Sequence, residues 1–390
     1  IGDWSSDVCS SDLKMRAFTT TILPRLRTNP LSLKRTQSTL VRFRCAQFTN
    51  RIDFKSPSQI DVKELLSSVP NLSGRHLLTL NDFTEEEVDG ILDVSINLKR
   101  WFKSSGELRK EASALQPLLG RSVALIFQKR STRTRLSMET GISKLGGTPI
   151  FLGSDDIQLG VNESLSDSAR VISRFNDVIA ARVFGHHNVE ELASLSSVPV
   201  INMLSDKFHP LQLLADMMTL KEHYGSGNTR GRTIAYVGDG NNMAHSFVVT
   251  SPKLGYNLRV ATPNGFSTLE DVQEMGLKEA KKKGTEILFT EDAQEAVECA
   301  DVIVTDTWIS MGQESEKNAR LKSFDGYQVS NEMAKGANPD WVFLHCLPRK
   351  PEEVSDEVFY SDRSLVWDEA ENRMWTAMAY VLMCQGDDLL

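Results

Sequence analysis

The strongest constraint on the fold begins near Arg75. From there, short and largely apolar runs alternate with segments of helical spacing. "SVALIF" (122–127) is followed by "TRLSMETGISKLG". "TPIFL", "DVIAARVF" and "VPVINML" come next, separated by "SLSDSARVISRF" and "NVEELASLSS". "HPLQLLADMMTLKEHYG" reads as a long helix closed by Gly225. The alternation then resumes with "TIAYVGDG", "NLRVATP", "TEILFT", "DVIVTDT" and "WVFLHCLP", with helical stretches such as "LEDVQEMGLKEAKKKG" between them.

Short apolar runs of this kind are what strands buried on both faces look like. Strands alternating with helices imply parallel sheets with right-handed crossovers. The expectation is an α/β chain: two doubly wound, parallel-sheet (Rossmann-like) domains joined by a helix from about His209 to Tyr224. The polar, Gly-rich "GSGNTRG" (225–231) marks the break between them. A last helix, "AENRMWTAMAYVLMC", is expected to pack back on the first domain. A length of 390 residues with 40% apolar residues suffices for two such cores. No stretch approaches the roughly 20 consecutive apolar residues of a membrane helix.

The first 50 residues belong to no such pattern. "DWSSDVCSSDL" (3–13) is the translation of a common sequencing-library adapter, so residues 1–13 are expected to be read-through and the natural start to be Met15. Residues 15–50 hold seven Arg or Lys, nine Ser or Thr and no acid. That composition reads as an organelle transit peptide, the dense Arg favouring mitochondria. A disordered basic arm is the alternative. Beyond residue 50 there remain 36 basic and 49 acidic residues, a net −13, which does not suggest nucleic-acid binding. The well-separated Cys299, Cys346 and Cys384 form no CxxC pair, which argues against a disulfide framework or a zinc site and suits a reducing compartment.

In open parallel sheets, ligands bind beyond the carboxyl ends of the strands. Four features fall at such ends: "KRSTRTR" (129–135), "GDGNN" (238–242), "DTWISMG" (306–312) and "HCLPR" (345–349). A cleft between the domains is therefore the expected site. "STRTR" opens a helix directly after a strand, where free backbone N–H groups and the helix dipole converge. Ser131, Thr132 and Thr134 add hydroxyls and Arg133 a bidentate donor, a set suited to a dianionic phosphate. A solvated basic helix start is the plainer reading. The spacing is not GxxxxGK, and "GDGNN" lacks GxGxxG, so neither a P-loop nor a nicotinamide cofactor is implied.

His209 and Gln212 share one face of a helix start, where His can donate to an oxyanion and Gln can read an amide. A cap or core role for the histidine is equally simple. Arg182 ends an apolar strand and wants an anion or an ion-pair partner. Asp306 could hold an ammonium, while Cys346 could equally be a buried, inert thiol.

"STRTR", "FHPLQ", "GDGNN", "DTWISMGQE" and "HCLPRKPEEV", in this order between about His76 and Cys384, closely resemble the ornithine carbamoyltransferases of the aspartate/ornithine carbamoyltransferase superfamily, of the mitochondrial type. The resemblance implies transfer of the carbamoyl group of carbamoyl phosphate to the side-chain amine of L-ornithine, giving L-citrulline and phosphate. That reaction serves arginine biosynthesis or a urea cycle. By motif position, Ser131, Thr132, Arg133, Thr134, Arg182, His209, Gln212 and Arg373 would bind carbamoyl phosphate. Asn242, Asp306, Ser310 and Met311 would hold ornithine, with Cys346 and Leu347 where the substrates meet. Cys346, Asp306, Arg133 and His209 would carry the chemistry, Cys346 acting on a proton and not as a covalent nucleophile.

The resemblance further implies no metal or other cofactor, a mitochondrial-matrix location, and a homotrimer in which Gln158 of a neighbouring subunit completes each phosphate site. It assigns residues 75–218 to carbamoyl phosphate and 229–384 to ornithine. Gln128 departs from the Glu often seen before "KRSTRT", and some relatives have His at the position of Gln158. Putrescine, an acylated ornithine or aspartate are the alternative acceptors, and a non-catalytic regulatory paralogue is the alternative of another class. An acidic acceptor would want cations where this chain offers Asp306.

Overall fold

A computed structural model describes residues 61–154, 163–309 and 317–386. Three helices come first: α1 (Val62–Ser67), α2 (Glu85–Lys103) and α3 (Glu107–Ala114). Then follow β1 (Ser122–Phe127), α4 (Thr132–Lys144), β2 (Thr148–Gly153), α5 (Leu165–Phe175), β3 (Val178–Arg182), α6 (His186–Leu195) and β4 (Val200–Leu204). α7 (Pro210–Tyr224) leads into β5 (Thr233–Val237), α8 (Asn242–Thr250), β6 (Asn257–Ala261), α9 (Glu270–Lys283), β7 (Ile287–Thr290) and α10 (Ala293–Val297). β8 (Val302–Thr305), α11 (Lys317–Ser323), β9 (Val342–His345), α12 (Asp356–Phe359) and α13 (Val366–Gln385) complete the described chain.

The strands form two all-parallel sheets, in the orders β2-β1-β3-β4 and β7-β6-β5-β8-β9. Each order reverses direction once, as expected of doubly wound domains. The inner strands β1, β3, β5, β6 and β8 are buried almost throughout, so their largely apolar runs reflect cover on both faces. β2 and β7 differ: they are edge strands and only half-covered, although their sequences read like the inner ones.

α7 joins the two sheets. Pro210 sits in its first turn, where a missing N–H costs nothing, and Gly225 ends it at φ 86°, a conformation suited to glycine. Thirteen of its fifteen residues are buried, which reflects packing on several sides. α13 lies against α7, α4 and α2, bringing the end of the chain back onto the first domain. α2 carries a full capping box, in which Thr84 and Glu87 each bond the other's backbone N–H. No helix among the described residues is long and apolar enough to cross a membrane.

Candidate active site

In the first sheet the chain steps from β1 outward to β2 and returns on the other side as β3, so the ends of β1 and β3 flank a crevice. "KRSTRTR" follows β1, and Arg182 ends β3. In the second sheet the equivalent crevice lies between β5 and β8, which deliver "GDGNN" and Asp306; β9, beside β8, delivers Cys346.

Ser131 is the N-cap of α4, its Oγ accepting from Thr134 N at 3.3 Å and donating to Thr134 Oγ1 at 3.0 Å. Thr134 is fully buried, and two guanidinium groups converge on its hydroxyl oxygen. Arg373, from α13, donates at 2.6 Å, and Arg182 donates at 3.5 Å. The Nε atoms of Arg133, Arg182 and Arg373 are all buried without a hydrogen-bond partner. Burial pulls Arg182 down to about 10, and the facing Arg373 charge adds to the effect. Burial also pulls Arg373 down to about 10, with Arg133 contributing repulsion. Both remain protonated at neutral pH. Three cations with inward-facing, unmet donors are the signature of a site built for an anion.

His209 is the N-cap of α7, held by its own N–H on Ser246 Oγ at 2.9 Å. Burial, reinforced by the charges of Arg373, Arg182 and Arg133, holds its imidazole well below the usual histidine range. The ring is therefore neutral at physiological pH, and its Nδ1 is buried without a partner. Gln212, one turn on, is fully buried; its Nε2 donates to Asp216 Oδ1 at 2.7 Å and to Glu369 Oε1 at 2.8 Å. Its Oε1 has no partner.

On the second domain, Asp306 is 5% exposed. It accepts from Cys346 Sγ at 2.8 Å and from Asn241 Nδ2 at 2.8 Å. Burial, together with the Asp306 charge, pushes the Cys346 thiol well above its ordinary value, so it stays protonated at neutral pH and acts as a donor. Asn241 is the N-cap of α8, its Oδ1 taking the N–H groups of Met243 and Ala244. The loop before it needs glycine: a Cβ on Gly240 would lie 2.4 Å from Phe266 O. Arg320 bridges Asp239 Oδ2 at 2.6 Å and Trp308 O at 2.7 Å, fastening the "GDGNN" loop to the one after β8.

Leu347 adopts φ 60°, in the left-handed region that L side chains rarely occupy. Such a conformation costs on the order of 1–3 kcal/mol and persists only where neighbours fix it. Here His345 Nδ1 accepts from Leu347 N at 2.9 Å, and the fully buried Glu353 holds His345 Nε2 at 3.1 Å and Lys350 N at 2.8 Å. Asp306, His345 and Cys346 bring potential metal-ligand atoms within 4.8 Å of one another. Both imidazole nitrogens and the thiol already make the hydrogen bonds just described, so this donor set is organised as a polar network.

The structure thus brings Ser131, Arg133, Thr134, Arg182, His209 and Arg373 into one cluster, with Gln212 one turn beyond His209 on α7 and the Asp306–Cys346 pair, followed by Leu347, on the second domain. Thr132 is the first residue of α4 and is exposed. Asn242 donates its side-chain Nδ2 to Ser205 O at 2.7 Å, and its side-chain Oδ1 makes no hydrogen bond among the described residues. Gln158, Ser310 and Met311 lie outside the described residues.

Two basic residues of the motif stand apart from the cradle's hydrogen bonds. Arg135 pairs with Glu139 at 2.9 Å and covers the Phe151 ring, while Lys129 lies 4.8 Å over Phe184. Gln128 Oε1 accepts from Phe184 N at 2.8 Å. Sequence reasoning missed Asn241, Asp216 and Glu369. Asn241 stood in plain sight beside Asn242, whereas the acids carried no local signal.

Fold and site together define a two-domain, doubly wound α/β protein whose interdomain crevice sets an anion cradle against a carboxylate–thiol pair. Comparison with known sequences makes this specific. The carbamoyl-P binding domain of aspartate/ornithine carbamoyltransferase matches residues 75–222, and the Asp/Orn binding domain of the same family matches residues 230–384. The chain belongs to the aspartate/ornithine carbamoyltransferase family.

It is 51% identical over 316 residues to the mitochondrial ornithine carbamoyltransferase of Aquarana catesbeiana, covering 81% of this chain and 88% of that one. It is 52% identical to the mitochondrial ornithine transcarbamylase of Gallus gallus, covering 81% and 87%. Among solved structures, ornithine carbamoyltransferase from Pyrococcus furiosus matches with a TM-score of 0.77 at 44% identity, over 82% of this chain and 99% of that one. A mitochondrial ornithine carbamoyltransferase from Coccidioides immitis matches with a TM-score of 0.72 at 42% identity, over 81% and 99%.

Proposed function

We propose that the chain transfers the carbamoyl group of carbamoyl phosphate to the side-chain amine of L-ornithine, releasing L-citrulline and phosphate. The observation that carries this reading is the convergence of Arg133, Arg182 and Arg373, each with a buried and unpartnered Nε, opposite the Asp306–Cys346 pair. The relatives above, named as ornithine carbamoyltransferases over most of this chain, support the same substrates.

In this reading Ser131, Thr132, Arg133, Thr134, Arg182 and Arg373 bind the phosphate. Neutral His209 donates to the carbamoyl oxygen, and Gln212 Oε1 accepts from the carbamoyl –NH2. Asn242 and Asp306, with Ser310 and Met311, hold ornithine.

The acceptor amine has a solution pKa of about 10.4 and must shed a proton before its lone pair can attack. Asp306 orients it. Attack on the carbamoyl carbon forms a C–N bond and places charge on the carbonyl oxygen, where Arg133, Thr134, Arg182 and His209 stabilise it. The C–O bond to phosphate then breaks. A thiol held well above its ordinary pKa cannot take the amine proton at neutral pH. The leaving phosphate, seated in the cradle, is the better acceptor, and Cys346 serves as a donor that fixes Asp306. Carbamoyl phosphate is already activated, so the reaction calls for no cofactor.

Residues 75–218 are assigned to carbamoyl phosphate and 229–384 to ornithine. The chain acts in the mitochondrial matrix, consistent with the mitochondrial names of its relatives and with residues 15–50 as a transit peptide. It assembles as a homotrimer in which Gln158 of a neighbouring subunit completes each phosphate site.

Citrulline formation by the purified chain, compared for ornithine, putrescine, an acylated ornithine and aspartate, is the test. Robust product with ornithine alone is expected. Preference for another amine, or no product, would overturn the reading.

A further inference from the structure

A buried acidic pair lies under Gln212 and has no part in the chemistry above. Asp216, one turn further along α7, and Glu369, near the start of α13, are each 1% exposed and hydrogen bonded to one another. Both accept from the same atom, Gln212 Nε2, at 2.7 and 2.8 Å. Glu369 Oε2 also takes the backbone N–H of His345, the residue before Cys346, at 2.9 Å. The far end of the Gln212 amide, Oε1, is buried and unpartnered. Burial raises Asp216 to about 7 and Glu369 well above the carboxylate range, so the pair retains a proton at neutral pH.

A primary amide can reverse its two ends with almost no change of shape; only its hydrogen-bond partners decide which end points where. With their shared proton held between them, the two carboxyl groups on one side of Gln212 accept N–H bonds and reject a carbonyl oxygen. We propose that the Asp216–Glu369 pair is a specificity device: it locks Gln212 with Oε1 toward the carbamoyl group, so that the site reads the substrate's N–H and rejects acyl phosphates that lack one. With the amide reversed, an N–H would face the substrate's –NH2 and the contact would become repulsive. The two acids are positioning residues, since neither touches substrate. Glu369 does a second thing: through its other oxygen it sets the Gln212 reader in register with the His345–Cys346 backbone on the ornithine side. The inference rests on carbamoyl phosphate being the group donor.

Acetyl phosphate is the discriminating probe, because it keeps the phosphate and carbonyl but carries a methyl group in place of –NH2. With the full chain, the carbamoyl phosphate KM is compared with the inhibition constants of acetyl phosphate and of inorganic phosphate. The unaltered protein is expected to favour carbamoyl over acetyl phosphate by at least about tenfold, the value of one good hydrogen bond.

Asp216→Leu is expected to reduce that preference about tenfold through a higher carbamoyl phosphate KM, leaving the phosphate inhibition constant and the ornithine KM within about twofold. Asp216→Asn, which can still accept from Gln212 and donate to Glu369, is expected to keep the preference. If the leucine variant does not fold, Asp216→Ala takes its place with the same readouts.

The inference is overturned if the unaltered protein does not discriminate against acetyl phosphate. It is also overturned if Asp216→Leu keeps the preference, or loses phosphate affinity in equal proportion. Failure of the unaltered protein to bind carbamoyl phosphate at all would instead overturn the proposed function.

Discussion

The buried guanidinium groups of the cradle carry a stability cost, and that cost can be measured. Arg182 sits buried at the end of β3, facing Arg373. Its pKa falls from the ordinary arginine value to about 10. At about 1.4 kcal/mol for each tenfold change, keeping Arg182 charged in the fold, beside Arg373, costs about 3 kcal/mol. The folded-state value is the lower one, so the folded chain holds this proton less tightly than the unfolded chain. The penalty is therefore fully present at neutral pH, below both values, and disappears only above the unfolded value.

Arg182→Met keeps most of the side-chain stem but removes the charge. It also forfeits the long 3.5 Å contact with Thr134, worth about 1 kcal/mol at most. The variant should then be more stable than its parent by about 2 kcal/mol in buffer free of phosphate and sulfate. Ligand reverses the ranking. Phosphate at a hundred times its dissociation constant should stabilise the parent by about 2.7 kcal/mol and the variant hardly at all. Turnover should fall at least about 100-fold, the loss typical of one oxyanion donor. Urea unfolding with and without phosphate is the assay. A variant that is less stable than its parent in anion-free buffer, and that still gains stability from phosphate, would refute the reasoning.

Other consequences are equally direct. Asn241→Ala frees Asp306 from its amide partner, and ornithine KM should rise at least about tenfold while carbamoyl phosphate KM stays unchanged in steady-state kinetics. The Cys346 thiol is pushed well above its ordinary value, so alkylation by iodoacetamide, followed by peptide mass spectrometry, should be slow at neutral pH and accelerate about tenfold per pH unit through pH 9. Cys346→Ala should weaken ornithine binding, and Cys346→Ser, which keeps a donor to Asp306, should largely restore it. Burial lowers His76, His186, His209 and His245 alike. The unfolded chain then binds more protons as pH falls below about 6.5, so stability should drop across that window in urea titrations, and His209→Gln should flatten the drop.

The sequence was most informative where chemistry and chain order coincide. Unbroken apolar runs placed the strands, and residues just past their ends proved to line the crevices of both sheets, because parallel strands bury their centres and offer their carboxyl ends to ligands. "STRTR" could be read as a cradle because its hydroxyls and helix start are contiguous. Arg373 was different: it reaches Thr134 across 239 residues of sequence and entered only through family resemblance. Asp216 and Glu369 gave no signal at all, since an acid in a helical run looks like solvated surface until another helix buries it. The amphipathic α2, with its Thr84–Glu87 capping box, is legible in "TEEE". β2 could not be told from β1, because their apolar runs match while only β1 is covered on both faces; the edge strands β4 and β9, by contrast, are buried as fully as the inner ones.

The same placement explains why α7 and α13 matter more to this site than their sequences suggest. Each sheet contributes charge of one sign: guanidinium groups near β1 and β3, a carboxylate after β8. Neither set alone can bring an acyl phosphate to an amine. α7 carries His209 and Gln212 on the turn that faces the cradle, and Asp216 on the next. α13 carries Arg373 into the cradle and Glu369 onto the backbone beside Cys346, one turn apart. The two helices that join the domains therefore also hold the groups that must keep cation and carboxylate in register. A shift of α13 against α7 would disturb Thr134, Gln212 and His345 together, since Arg373 and Glu369 bond all three. Substitutions in the α7–α13 contact should accordingly lower turnover more than they lower the affinity of either substrate alone, because alignment is felt most where both substrates must meet.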